Sequence, residues 1–115
     1  MGLRILHVED APAPRRVVQR YVEAAGHRVV ACETLEEARE LIASESWDVI
    51  LVDVHLPGGN GLGFVTEARE NQPSARILVV SGDTDADVAR AAIEAGAEAY
   101  LLKPINPKEL LILLR

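Results

Sequence analysis

Short apolar runs alternate with amphipathic segments along this chain in a nearly regular order. Leu3 to Val8 reads as a first strand. A helix follows, with Pro14 near its first turn and Val17, Val18, Tyr21, Val22 and Ala25 on one face. Gly26 stands where a left-handed C-terminal cap belongs. His27 to Cys32 is a second, valine-rich strand. Thr34-Leu35-Glu36-Glu37 has the spacing of a capping box, and Leu35, Ala38, Leu41 and Ile42 form the buried stripe of a second helix. Asp48 to Asp53 is the third strand, and its uninterrupted apolar centre predicts cover on both faces.

Pro57-Gly58-Gly59-Asn60-Gly61 is a loop by composition. Phe64, Val65 and Ala68 mark a third helix that stops before Pro73. Arg76 to Ser81 is a fourth strand. A fourth helix runs from near Thr84-Asp85 to Gly96. Glu98 to Leu102 is the fifth strand, and Asn106-Pro107 opens a fifth helix as cap and first-turn proline. Five strand–helix units in sequence predict parallel connections, which are right-handed almost without exception. The fold class is therefore α/β, a doubly wound parallel sheet. Such folds bind ligands beyond the carboxyl ends of their strands.

Composition narrows the picture. A chain of 115 residues with 49% apolar side chains suits one compact domain with its own core. One cysteine, Cys32, excludes an internal disulfide and fits a cytoplasmic protein; its place in a strand marks it as a small buried side chain. The net charge of −6 argues against direct nucleic-acid binding, because phosphate contacts need a basic surface. The N-terminal Met1-Gly2-Leu3-Arg4 does not read as a signal peptide. The apolar run Leu110 to Leu114 is too short to cross a membrane.

The strand ends carry the chemistry. Strand one ends in Glu9-Asp10, strand three in Asp53 and strand four in Ser81-Gly82, and strand five is followed by Lys103-Pro104. Any one of these residues alone is an ordinary turn former. Together they bring three carboxylates, one hydroxyl and one lysine to one sheet edge. Crowded carboxylates repel, and a hard divalent cation with oxygen ligands relieves the repulsion. Lys103 would offset the remaining charge or hold an anion as a point charge.

The set Glu9-Asp10, Asp53, Ser81 and Lys103-Pro104, with Leu56-Pro57 and Gly61 after Asp53, closely resembles that of two-component response-regulator receiver domains. The resemblance covers essentially the whole chain as a single receiver domain over residues 1–115. It implies a flavodoxin-like (βα)5 sheet in the order 2-1-3-4-5. It implies a phosphorylation-dependent signalling switch rather than an enzyme acting on a separate substrate. Asp53 would be the phosphoacceptor, forming an acyl phosphate. Asp10 and Asp53 would ligate Mg2+, with Glu9 acting through a water and His55 through its backbone carbonyl. Ser81, the Gly82 N–H and Lys103 would contact the phosphoryl group. Tyr100 matches an aromatic switch position, and the Lys103–Pro104 bond would be cis. The implied phosphodonor is a histidine kinase or histidine phosphotransfer protein, with small phosphodonors as substitutes. The changing surface would be helix four, strand five and helix five, which would face an output domain, a target protein or a second copy of the chain.

Other residues call for plainer readings. His55 is an exposed loop histidine that borders the phosphoryl position, as does Asp83. His7 is a core histidine with a satisfied hydrogen bond. Trp47 precedes strand three, roughly 20 Å from Asp53 at about 3.3 Å per residue, so its fluorescence is not expected to report Mg2+. Helix five is apolar nearly all round, which suggests continuation into a longer protein or dimerisation.

Three alternatives compete. A haloacid-dehalogenase-type phosphohydrolase also uses a strand-end Asp and Mg2+, but it needs a second Asp two residues on, where His55 stands. A flavodoxin-like cofactor carrier would place a flavin phosphate against Glu9-Asp10-Ala11-Pro12, which would repel it. A degenerate, partner-binding receiver would not need the full set of site residues.

Overall fold

The computed structural model describes residues 2–56 and 59–115, so Pro57 and Gly58 of the predicted loop lie outside the described residues. The elements alternate without interruption: β1 (Arg4–Val8), α1 (Pro12–Ala24), β2 (Arg28–Cys32), α2 (Leu35–Ser44), β3 (Val49–Asp53), α3 (Gly61–Asn71), β4 (Arg76–Ser81), α4 (Ala86–Ala95), β5 (Ala99–Leu102) and α5 (Pro107–Leu113). All strand pairings are parallel, in the order β2-β1-β3-β4-β5. This is the doubly wound parallel sheet read from the pattern, in the flavodoxin-like order that the resemblance implied. The order reverses between β1 and β3, so the ligand crevice of such a sheet falls between their carboxyl ends.

Strand alternation sorts the side chains into two cores. Leu6, Val8, Ile50, Val52, Ile77 and Val79 pack on α2, α3 and α4. Ile5, Val49, Leu51, Leu78 and Val80 pack on α1 and α5. Every residue of β3 is buried, as its apolar run requires. No helix among the described residues is long and apolar enough to cross a membrane.

The helix ends follow local chemistry. Thr34, Asn60, Asp85 and Asn106 each accept backbone N–H groups at an N-terminus. The Glu37 carboxylate accepts from the Thr34 hydroxyl at 3.2 Å, rather than from the backbone N–H of a complete capping box. Gly26 and Gly96 close α1 and α4 with φ of 92° and 123°, where a side chain would be strained.

Two expectations, the buried stripe of α1 and the hydrogen bond of His7, need correction. Only Val18 and Val22 of the predicted α1 stripe are buried; Val17 is 43% and Tyr21 42% exposed, and Ala25 is exposed too. The sheet accepts a narrower face than the spacing suggested. In α5, Leu110 and the capping Leu114 are buried while Ile112 is 60% exposed, so the apolar run does reach the outer face, next to the exposed Lys108 and Glu109. His7 is buried, but its Nδ1 has no hydrogen-bond partner among the described residues. Burial, with Lys103 and Arg15 nearby, pushes its pKa down to about 4.

That histidine sets an acid sensitivity. Between its ordinary pKa of 6.5 and about 4 the unfolded chain binds a proton that the folded chain refuses. Stability is therefore present above pH 6.5 and falls as the pH drops. Urea denaturation of wild type and His7→Val at pH 7 and pH 5 checks this. The wild type is expected to lose about 2 kcal/mol more than the variant over that interval.

Candidate functional site

Adjacent parallel strands in register bring the acids together. Val8 pairs with Val52, so the next residues, Glu9 and Asp53, leave the sheet side by side. The Glu9 N–H still donates to Cys32 O at 2.9 Å, which extends the strand by one residue. Glu9 is 1% exposed, Asp53 is also buried, and Asp10 is exposed at the rim. One carboxylate oxygen from each of the three lies within 4.8 Å of the others.

Lys103 enters this cluster. Its Nζ lies 2.9 Å from Glu9 Oε1 and 2.5 Å from Asp53 Oδ2. The sheet order puts β4 between β5 and β3, and the long lysine side chain reaches across the end of β4. Its backbone is fixed there by the Lys103 N–H donating to Ser81 O at 2.8 Å. The peptide bond to Pro104 is cis.

Each remaining site residue has a defined place. Asp53 Oδ1 accepts from the His55 N–H at 2.9 Å, and His55 itself is exposed. Glu9 Oε2 accepts from the Ala11 N–H at 3.3 Å. Ser81 is buried at the end of β4, and its Oγ accepts from the Asp83 N–H at 3.0 Å. Half-buried Tyr100 donates its hydroxyl to the Asp83 carbonyl at 2.7 Å. Asp83 thus ties Ser81 to Tyr100 through the two ends of one residue. A Cβ on Gly82 would meet nothing within 4 Å, so packing does not demand glycine there. Gly61 is different. A Cβ there would stand 2.5 Å from the Cα of Val54, so only glycine lets α3 start this close to the segment after Asp53.

The electrostatics follow from burial. Burial pushes the Glu9 carboxyl up; Lys103 and the Ala11 N–H oppose the shift, and the nearby Asp53 adds to it. Burial works against the Lys103 ammonium, but its bonds to Asp53 and Glu9 outweigh that and raise its pKa. The cluster holds three acids to one ammonium. Its donors are hard carboxylate oxygens, two of them buried, and that set suits a hard divalent cation such as Mg2+. Cys32, by contrast, is a buried thiol pushed up to about 12 by burial, and it is inert. Trp47 lies at the opposite end of the sheet, buried, with its Nε1 donating to Leu41 O at 3.0 Å.

Sequence reasoning passed over Arg15. It reaches from α1 to the backbone carbonyls of Glu9 and Asp10. Spacing within α1 gives no sign of this, because its partners come from other segments.

Comparison with known proteins places the chain in a family. A family model described as the response regulator receiver domain matches residues 5–115, and the chain belongs to that family. It is 37% identical over 114 residues, 96% of its length, to the sensory/regulatory protein RpfC of Xanthomonas campestris pv. campestris, of which it spans 16%. Among solved structures it resembles a response regulator from Burkholderia pseudomallei that carries a phosphorylated aspartic acid, a calcium ion and citrate. That match has a TM-score of 0.92 and 32% identity, and covers 99% of this chain and 67% of the other. A CheY-like receiver domain protein from Methanospirillum hungatei gives a TM-score of 0.93 at 29% identity, with 99% and 91% covered.

The raised Glu9 pKa has a measurable consequence. A group whose folded pKa is raised favours the fold at low pH and costs stability once the pH passes its folded value. In chelator at pH 7, Glu9→Gln is expected to melt above wild type. The gap should close as the pH falls below the ordinary carboxylate range. Thermal unfolding followed by circular dichroism at both pH values is the check.

Proposed function

We propose that this domain is a phosphorylation switch whose phosphoacceptor is Asp53, charged by a phosphohistidine on a partner protein with Mg2+ as cofactor. The observation that carries the reading is the Asp53 carboxylate, buried against Lys103 with Glu9 and Asp10 alongside. Asp10 and Asp53 would hold the ion directly, Glu9 through a water and His55 through its carbonyl. Bound there, Mg2+ would neutralise charge on the incoming phosphoryl oxygens.

The chain's own groups do the rest. One Asp53 oxygen attacks phosphorus as the P–N bond of the phosphohistidine breaks, and the departing imidazole nitrogen takes a proton from solvent. Such transfers ask for positioning and charge neutralisation more than covalent help. Lys103, now paired with Asp53, follows the charge onto a phosphoryl oxygen. The Gly82 N–H adds a backbone donor. The Ser81 hydroxyl now accepts from Asp83, and its own proton is available to the phosphoryl group. Turning toward it releases Asp83, whose carbonyl anchors Tyr100. The signal then leaves through α4, β5 and α5, where Ile93, Leu102 and Ile112 are exposed apolar residues for an output partner or a second copy to cover. A phosphohistidine donor of this kind places the domain in the cytoplasm.

The test is incubation with acetyl phosphate, with and without Mg2+, followed by intact mass measurement. The wild type should gain one phosphoryl group only with Mg2+, and Asp53→Asn should gain none. Labelling that survives the substitution would move the acceptor elsewhere.

A further inference from the structure

The geometry points to Arg15 as the positioning residue that holds the Glu9-Asp10 loop in shape for a divalent ion; the inference rests on the reading of Glu9, Asp10 and Asp53 as ion ligands. Arg15 Nη1 donates to Glu9 O at 3.2 Å and to Asp10 O at 3.3 Å. The same nitrogen lies 3.1 Å from Glu33 Oε1, in the turn between β2 and α2. One guanidinium therefore straps three segments: the loop after β1, the first turns of α1 and the turn after β2.

A second observation says why the strap is needed. Helix α1 begins at Ala11-Pro12 with no side-chain cap. An alanine has no group to hold the orphan N–H donors, and Pro12 contributes none of its own. The other helices with an N-cap side chain described above are pinned at their starts. This one begins directly after two acids that repel each other and Asp53. The Asp10 carboxylate is exposed and makes no hydrogen bond or ion pair among the described residues. Nothing in its own side chain keeps it beside Asp53. Its backbone does, and Arg15 grips that backbone on both carbonyls.

Charge and position predict opposite signs, which makes the role testable. As a charge alone, Arg15 repels a cation, and its removal should tighten binding. As a strap, it lowers the cost of assembling the ligands, and its removal should weaken binding. Mg2+ titration calorimetry on wild type, Arg15→Ala and Arg15→Lys separates the two. The expected result is about 10-fold weaker binding for the alanine variant, the size typical of losing a group that orients metal ligands. The lysine variant should fall between, because an ammonium keeps the charge but lacks the planar fork. At saturating Mg2+, labelling by acetyl phosphate should return close to the wild-type rate in both.

A readout without metal completes the test. In chelator, the Ala11 amide, held by the Glu9 carboxylate, should exchange its hydrogen several-fold faster in Arg15→Ala. If that variant does not fold, Arg15→Lys carries the comparison. Equal or tighter Mg2+ binding by a folded variant, with Ala11 exchange unchanged, overturns the role of Arg15 and leaves the Asp53 reading standing. Failure of the wild type itself to bind Mg2+ overturns both.

Discussion

The ammonium of Lys103, placed between Glu9 and Asp53, is the contact on which the carboxyl edge of the sheet depends. Two buried carboxylates side by side would each favour the neutral form, which suits neither of the roles proposed for them, cation ligand and phosphoacceptor. The lysine bonds both carboxylates and opposes the upward push of burial on Glu9. It does so without saturating the cluster, because a third acid, Asp10, remains at the rim. Removing the lysine would leave two buried carboxylates uncompensated and is costly, while keeping the set adds little net stability. The arrangement is thus better understood as a charged site held ready than as a staple for the fold.

The remainder of the molecule holds that edge still. Two apolar layers, one on each face of the parallel sheet, fix the strands that deliver Glu9, Asp53, Ser81 and Lys103. The far end is tied separately. The Arg4 guanidinium lies over the Trp47 ring at 4.5 Å and pairs with Glu45, and Arg76 bonds Glu98 and the Leu113 carbonyl. These structural bonds gather at one end and the acidic cluster with Lys103 at the other, the end where such sheets bind ligands.

In the proposed switch, a phosphoryl group acts only through contacts that differ between two states. Complete switching requires roughly 5.5 kcal/mol of difference. A typical hydrogen bond contributes about 1 kcal/mol. The Ser81 hydroxyl alone therefore falls short. The lysine, the backbone donors and the release of Asp83 from Ser81 and Tyr100 must act together. That is why the bridge through Asp83 matters: a single residue couples the buried hydroxyl to the aromatic on β5.

The five strand–helix units, the caps at Thr34 and Asn106, the left-handed turn at Gly26 and the identity of the strand-end residues were all legible in the sequence. Each rests on local rules: side-chain period, cap chemistry and backbone sterics act over a few residues. The same rules could not show that Lys103 crosses the end of β4 to Asp53, that Val17 and Tyr21 face solvent, that His7 Nδ1 has no partner among the described residues, or that Arg15 reaches Glu33 beyond β2. Those facts depend on which segments the sheet order sets side by side. A charged or polar side chain can take its role from partners far away in the chain, and only the folded structure decides who they are.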